Sequence, residues 1–275
     1  VDSEDLSLNI SREMLQQDRQ IQRMRKGVVG KVLDTLSQLR DSDADKYLSF
    51  WREFGRVLKE GLYQEPENRE RLLDLLFAES TADPEKLVSL SEYVDRMKPN
   101  QESIYYMTGE SRRAVEHSPH LEAFLEKGYE VLILTDPVDE LWAQSAFEYK
   151  GKRFQSVGQG GVELGTEEER KKAQEEREEK QKAYADLMEC LKDKLEEYVK
   201  EVKLSSRLTT SAACLVSGPG DPTPQLELLM KAMNKEAPPI KRILEVNPGH
   251  PILEKLQAIF DADHNFAGCI PGILY

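Results

Sequence analysis

No run in this sequence approaches the ~18 consecutive apolar residues that a membrane-spanning helix requires. The start shows no secretory leader. Cysteine is scarce: Cys190, Cys214 and Cys269 are far apart and odd in number. They suggest neither a disulfide framework nor the close pairs of a zinc site, and they fit a reducing, cytoplasmic compartment. Cationic residues are outnumbered. Lys and Arg total 38 against 51 Asp and Glu, a formal net charge of −13 at pH 7. No basic face is left for neutralising the phosphates of bulk nucleic acid. Among four histidines only His117 and His120 are close, and they flank Ser118-Pro119. That reads as a helix junction rather than a metal site. Gly-x-Ser-x-Gly and a phosphate-binding Gly-rich loop ahead of a helix are also missing. The chain begins at Val1 without an initiator Met and is expected to be a piece of a longer protein.

What is present suffices for a core. Of 275 residues, 39% are hydrophobic and 32% charged, so a charge-rich chain can still fold on more than one domain. Asp18 is placed to cap a helix whose stripe is Ile21, Met24, Val28, Val32, Leu36 and Leu39. Gly27 and Gly30 within it suggest close approach of another backbone, or flexibility. Tyr47, Phe50, Trp51, Phe54 and Val57 share a face of a second helix, more fitting a core than a binding surface. Leu72, Leu73, Leu76 and Phe77 suggest a third helix. Asp83-Pro84 reads as another helix start, and Ser89 with Glu92 as a capping box stapled by Val88 and Tyr93. Residues 18–98 are therefore expected to be several short packed helices.

After Pro99 the period changes. "SIYYMTG", "YEVLILTDP" and "FEYKGKRFQSV" read as strands separated by helices, which predicts a small parallel sheet over about 102–157. "TEEERKKAQEEREEKQK" is a solvated helix face or a tether. Tyr184, Leu187, Leu191, Leu195, Tyr198 and Val202 then predict one amphipathic helix. "AACLVSGPGDPTP" contains a strand and a break, "QLELLMKAMNK" a helix, "KRILEVNP" a strand and "HPILEKLQAIF" a helix. The expected class is mixed α+β: a helical segment, a small αβα sandwich with a parallel sheet, then an α+β C-terminal unit. The boundaries fall at 1–101, 102–165 and 166–275.

Two places invite chemistry. "TDPVDE" lies where a parallel strand ends, the favoured ligand position in open sheets, although Asp136-Pro137 is also ordinary helix-start chemistry. In "LSLNISREMLQQ", Leu6, Leu8 and Ile10 alternate as in a strand and deliver Arg12 to a connection rich in amides. A guanidinium there can pair with a surface carboxylate, or fork onto a phosphate held by another domain. The residues alone leave both readings open.

Several segments, in order, resemble one family. They are "VDSEDLSLNISREMLQQ" at the start, "SIYYMTGES" at 103–111, "SPHLEAFLEKGYEVLILTDPVDE" at 118–140, "FQSV" at 154–157 and "ILEVNPGHPI" at 243–252. Together they are similar to the ninety-kilodalton heat-shock chaperones, in their bacterial form. The resemblance covers nearly the whole chain and implies the later part of the middle domain plus the first part of the C-terminal domain. It implies a homodimeric, ATP-dependent chaperone in full length, with ATP and Mg held by an N-terminal domain that nothing here resembles. No cofactor and no metal are then expected on this fragment, which should not hydrolyse ATP alone. Its implied partners are client proteins and its own N-terminal ATPase domain, with no nucleic acid and no membrane. Arg12 matches the family's catalytic-loop arginine and Gln16 a supporting polar residue. "QLELLMKAMNK" matches the client-contacting helix, with Leu226, Leu229, Met230 and Met233 as its apolar face, or as ordinary core. Two other readings stay open: a self-contained α/β enzyme for a phosphate ligand near Thr135 and Asp136, and a non-catalytic interaction scaffold.

Overall fold

The computed structural model describes residues 19–143, 148–159, 162, 164–218, 220–232 and 240–262. The chain divides into two compact units between Leu76 and Phe77.

The first unit is helical. Helices α1 (Arg19–Ser42) and α2 (Ala44–Gln64) are followed by a 3-10 turn and by α3 (Arg69–Asp74). Asp43 starts α2 by accepting the Lys46 amide at 3.1 Å, one of the donors a helix leaves open at its N-terminus. The core takes Leu33, Leu36, Tyr47, Trp51, Leu62, Leu72 and Leu73. The Tyr47 hydroxyl donates to the Leu75 carbonyl at 2.6 Å, so a buried polar tip is satisfied. The expected stripes are only half right. Val28 and Val32 of α1, and Phe54 and Val57 of α2, are exposed. Of the two readings of Gly27 and Gly30, close approach of a backbone and flexibility, the first is not what the structure has. Instead Gly27 faces open space, and Gly30 meets the Arg71 side chain, which donates to its carbonyl.

The second unit carries two sheets. Strands β1 (Phe77–Ser80), β2 (Val88–Ser89), β3 (Ser103–Thr108), β4 (Leu132–Leu134), β5 (Glu148–Tyr149) and β6 (Lys152–Ser156) lie in the order β2-β1-β4-β3-β6-β5. The centre, β4-β3-β6, is parallel as the alternation of strands and helices predicts. The flanks are antiparallel: β1 pairs with β4 and β2, and β5 with β6. Strand β1 corrects the all-helical reading of residues 18–98. Leu76 and Phe77 keep helical spacing with Leu72 and Leu73, but α3 stops at Asp74 and Ala78 is buried in the sheet. Asp83-Pro84 starts no helix. The Asp83 carboxylate accepts the Glu85 amide at 2.9 Å, a local turn. The capping box of Ser89 and Glu92 does form, ahead of α4 (Leu90–Arg96).

Between the strands run α5 (Arg112–Glu116), α6 (Glu122–Glu126) and α7 (Asp139–Ala143). Helices α5 and α6 close a core of Tyr105, Val115, Leu121, Phe124, Val131, Ile133 and Val157, while Trp142 of α7 packs edge-on against Phe154. Helix α8 (Glu167–Ala183) buries no residue, as its charge run predicts. Next, α9 (Ala185–Leu195) packs on a second sheet, β7-β9-β8, made of β7 (Val199–Leu204), β8 (Ala213–Val216) and β9 (Arg242–Val246). The amphipathic helix expected to reach Val202 thus ends at Leu195. Val199, Val202 and Leu204 are buried in β7, parallel to β9. Helices α10 (Pro224–Ala232) and α11 (Pro251–Ala262) complete the described chain. The mixed α+β class stands.

Candidate functional site

Strands β3 and β4 end side by side at Thr108 and Leu134, and the Gly109 amide donates to the Leu134 carbonyl at 3.1 Å. Beyond these ends lies a mostly apolar groove of about 260 Å³. Leu134 and Pro137 form one side and Leu228 of α10 the other. Thr223 sets the helix in place. Its hydroxyl accepts the Leu226 amide at 3.1 Å, capping α10, and donates to the Glu140 carboxylate of α7 at 2.6 Å. Arg242 on β9 bonds Glu227 at 2.6 Å from the other side. The side chains proposed for this helix are distributed as follows. Leu226 and Met230 are half-buried. Leu229 belongs to α10. Leu228, absent from the expected set, is 55% exposed and borders the groove. Helical spacing from Leu226 selects 229, 230 and 233, so no signal in the sequence singled out 228. Met233, Arg12 and Gln16 lie outside the described residues.

The groove also contains Thr135 and Asp136, the location of the enzyme reading. Glu110, Asp136 and Glu140 line it and no Lys or Arg does. An acidic lining with no basic side chain opposes a phosphate, because like charges at this range repel. The described residues therefore do not fit a nucleotide at this place. Among the described residues there is also no cluster of His, Cys, Asp and Glu able to hold a metal ion. None of their helices is long and apolar enough to cross a membrane.

A polar junction ties the sandwich to the second sheet. Arg207 is buried, and its guanidinium donates to the Val157 carbonyl at 2.7 Å and to that of Gln159 at 3.0 Å. It also pairs with Glu245 on β9 at 3.3 Å. Ser205 donates to the same carboxylate at 2.8 Å. On α6, the Glu122 carboxylate accepts the amides of Thr209, Thr210 and Ser211. Partial burial pushes its pKa up, but the Ser211 hydroxyl and the three amides outweigh that and hold it below the usual value. Beside them His120 has a sealed Nδ1 with no hydrogen-bond partner. Burial first, then Arg207, pushes its pKa down to about 4, against Glu245 and a backbone hydrogen bond with Leu215. The imidazole is neutral at pH 7. Nothing in the sequence pointed to this junction, whose partners are dozens of residues apart.

The second unit is thus two sheets joined through a charged helix, with an acid-rimmed apolar groove beside α10. The chain belongs to the Hsp90 protein family, whose model matches residues 1–269. It is 54% identical over 262 residues to the "Chaperone protein HtpG" of Nocardia farcinica, covering 95% of this chain and 40% of that protein. The protein of that name from Geobacter sulfurreducens is 53% identical over 264 residues, 96% of this chain and 41% of the relative. That of Frankia casuarinae is 50% identical over 277 residues, 100% and 43%. The chain thus spans about two fifths of the length of these relatives.

Proposed function

We propose that this chain is the middle-to-C-terminal part of a cytoplasmic, homodimeric molecular chaperone, contacting unfolded clients and assisting ATP hydrolysis by a separate N-terminal domain. The observation that carries the reading is the family match across residues 1–269. The surface around α10 supports the client role: Leu228 is an exposed apolar side chain on the groove, and exposed apolar surface is what binds other chains. The acidic rim of that groove supports the assignment of nucleotide and Mg to another domain. Arg12 is the residue assigned to catalysis, with Gln16 in support. A permanent cation brought to a transferring phosphoryl group offsets charge that grows in the transition state.

The test mixes this chain with the separately prepared ATP-binding domain and follows phosphate release. Hydrolysis should rise with the unmodified chain and not with Arg12→Ala, while ATP affinity stays the same. Equal stimulation by both chains would refute the role of Arg12, and no stimulation by either would refute assistance by this region.

A further inference from the structure

A second cleft, of about 360 Å³, lies between α8 and the β7-β9-β8 sheet, away from α10. Its volume is in the range of small-molecule sites. The floor is apolar, formed by Leu164, Leu204, Val216 and Ile243. The charge of its walls is opposite to that of the protein. Lys127, Arg170, Arg177 and Lys203 line it against two carboxylates, Glu178 and Glu245, in a chain of net charge −13. Glu245 is already neutralised by Arg207, and Lys203 by Glu201 at 2.9 Å. Glu178 accepts a hydrogen bond from Gln174 at 3.2 Å.

Two guanidiniums are under-used. Arg170 has its nearest carboxylate, Glu102, at 4.0 Å, and its buried Nε has no hydrogen-bond partner. Arg177 makes no hydrogen bond or ion pair with any described residue. A buried guanidinium N–H without an acceptor is costly, and a planar fork of donors suits a carboxylate or phosphate. The helix that carries both arginines buries no side chain of its own. Only its partly covered Arg170 and its run into α9 place α8 over this cleft, and a bridging ligand would add to them.

We propose that the cleft binds an anionic amphiphile, a carboxylate or phosphate monoester on an alkyl tail. Arg170 and Arg177 take the head and the floor takes the tail.

The experiment is calorimetric titration of the 275-residue chain with octanoate, octyl phosphate, octanol and inorganic phosphate. Octanoate, octyl phosphate or both should bind, with octanol and inorganic phosphate at least about tenfold weaker. A preference between the two anions identifies the head group. Arg177→Glu, and more mildly Arg177→Gln, should weaken binding by about tenfold or more. Arg113→Glu makes the same charge change at an exposed site on α5 and should leave binding as it was. Far-UV circular dichroism confirms that the variants are folded, as expected for side chains outside any core. Octanol binding as well as octanoate, Arg177→Glu binding as well as the unmodified chain, or no binding by any probe would each overturn the proposal.

Discussion

Glu122 and Ser211 are joined twice: one carboxylate oxygen accepts the Ser211 amide at 3.0 Å and also the Ser211 hydroxyl. The other oxygen takes the amides of Thr209 and Thr210 at 2.7 and 2.8 Å. A single side chain of the sandwich thus organises the loop between β7 and β8, doing for three successive amides what a capping residue does at a helix start. The second sheet is held to the sandwich by charge-assisted bonds, which are about twice as strong as neutral ones.

Glu122→Gln keeps the shape and removes the charge. It should destabilise the second unit by about 1–3 kcal/mol at pH 7. Amide hydrogen exchange at 209–211 should accelerate, while exchange in the core of β3 and β4 changes little. Because hydrogen bonds hold this carboxyl below its usual value, its contribution is complete above the unfolded pKa of roughly 4.3. It is lost as pH falls through the lower folded value. Urea midpoints of both proteins across that acid range check the sign: they should converge as the pH drops.

Arg207 carries a larger share. Its side chain is 3% exposed, and Glu245 faces it at 11%. Removing one member leaves a buried charge and two carbonyls, those of Val157 and Gln159, without their donor. Arg207→Met should therefore cost about 3–5 kcal/mol. Arg207→Lys should recover only part, since an ammonium cannot fork to both carbonyls and the carboxylate. Urea unfolding of the three proteins measures the order. Arg207→Met as stable as the unmodified chain would show that the pair sets geometry and adds no stability.

His120 acts in a different pH window. It faces the Arg207 guanidinium and the Glu245 carboxylate, and it is neutral when folded with a pKa near 4 against 6.5 for a free imidazole. The unfolded chain therefore takes up a proton that the folded one refuses. Stability is complete above about pH 6.5 and declines as pH falls toward 4. His120→Gln removes the titrating group, so its stability should vary less between pH 6.5 and 4.5, a window in which the contribution of Glu122 is complete and constant. In the unmodified chain the His120 ring resonances should stay fixed from pH 8 to 5. A midpoint near 6.5 would contradict the buried neutral ring.

Legibility followed the range of the interaction. The Ser89–Glu92 box spans four residues and was readable; the solvated face of α8 was readable from its charges alone. Strand β1 was not, because "LLFAES" keeps helical spacing and becomes a strand only by lying between β2 and β4. Strand β7 was hidden in the same way, with Tyr198 and Val202 continuing the stripe of α9 while Tyr198 falls in a turn and β9 claims Val202 from forty residues further on. The Arg207 junction has no local pattern, and of the groove only the "TDPVDE" side was legible, as a strand end, while Leu228 was not. The family resemblance was carried by short strings in order, which survive whatever the elements turn out to be.

Leu228 offers the direct check of client contact. It is 55% exposed, so replacing it should change stability by no more than about 0.5 kcal/mol. Its position on the groove between α10 and the ends of β3 and β4 gives it a role only if something enters there. Leu228→Asp adds a fourth carboxylate to a rim that already has Glu110, Asp136 and Glu140. It should weaken the holding of an unfolded protein by more than ~1 kcal/mol, the threshold for a residue that matters at an interface, or roughly fivefold. Light scattering of an aggregating model protein, with the unmodified chain and Leu228→Asp at several ratios, measures it. Phe54→Asp, an equally exposed apolar residue on α2 in the other unit, serves as the comparison. If it weakens holding as much as Leu228→Asp does, client contact is spread over exposed apolar surface in general and the groove has no special part in it.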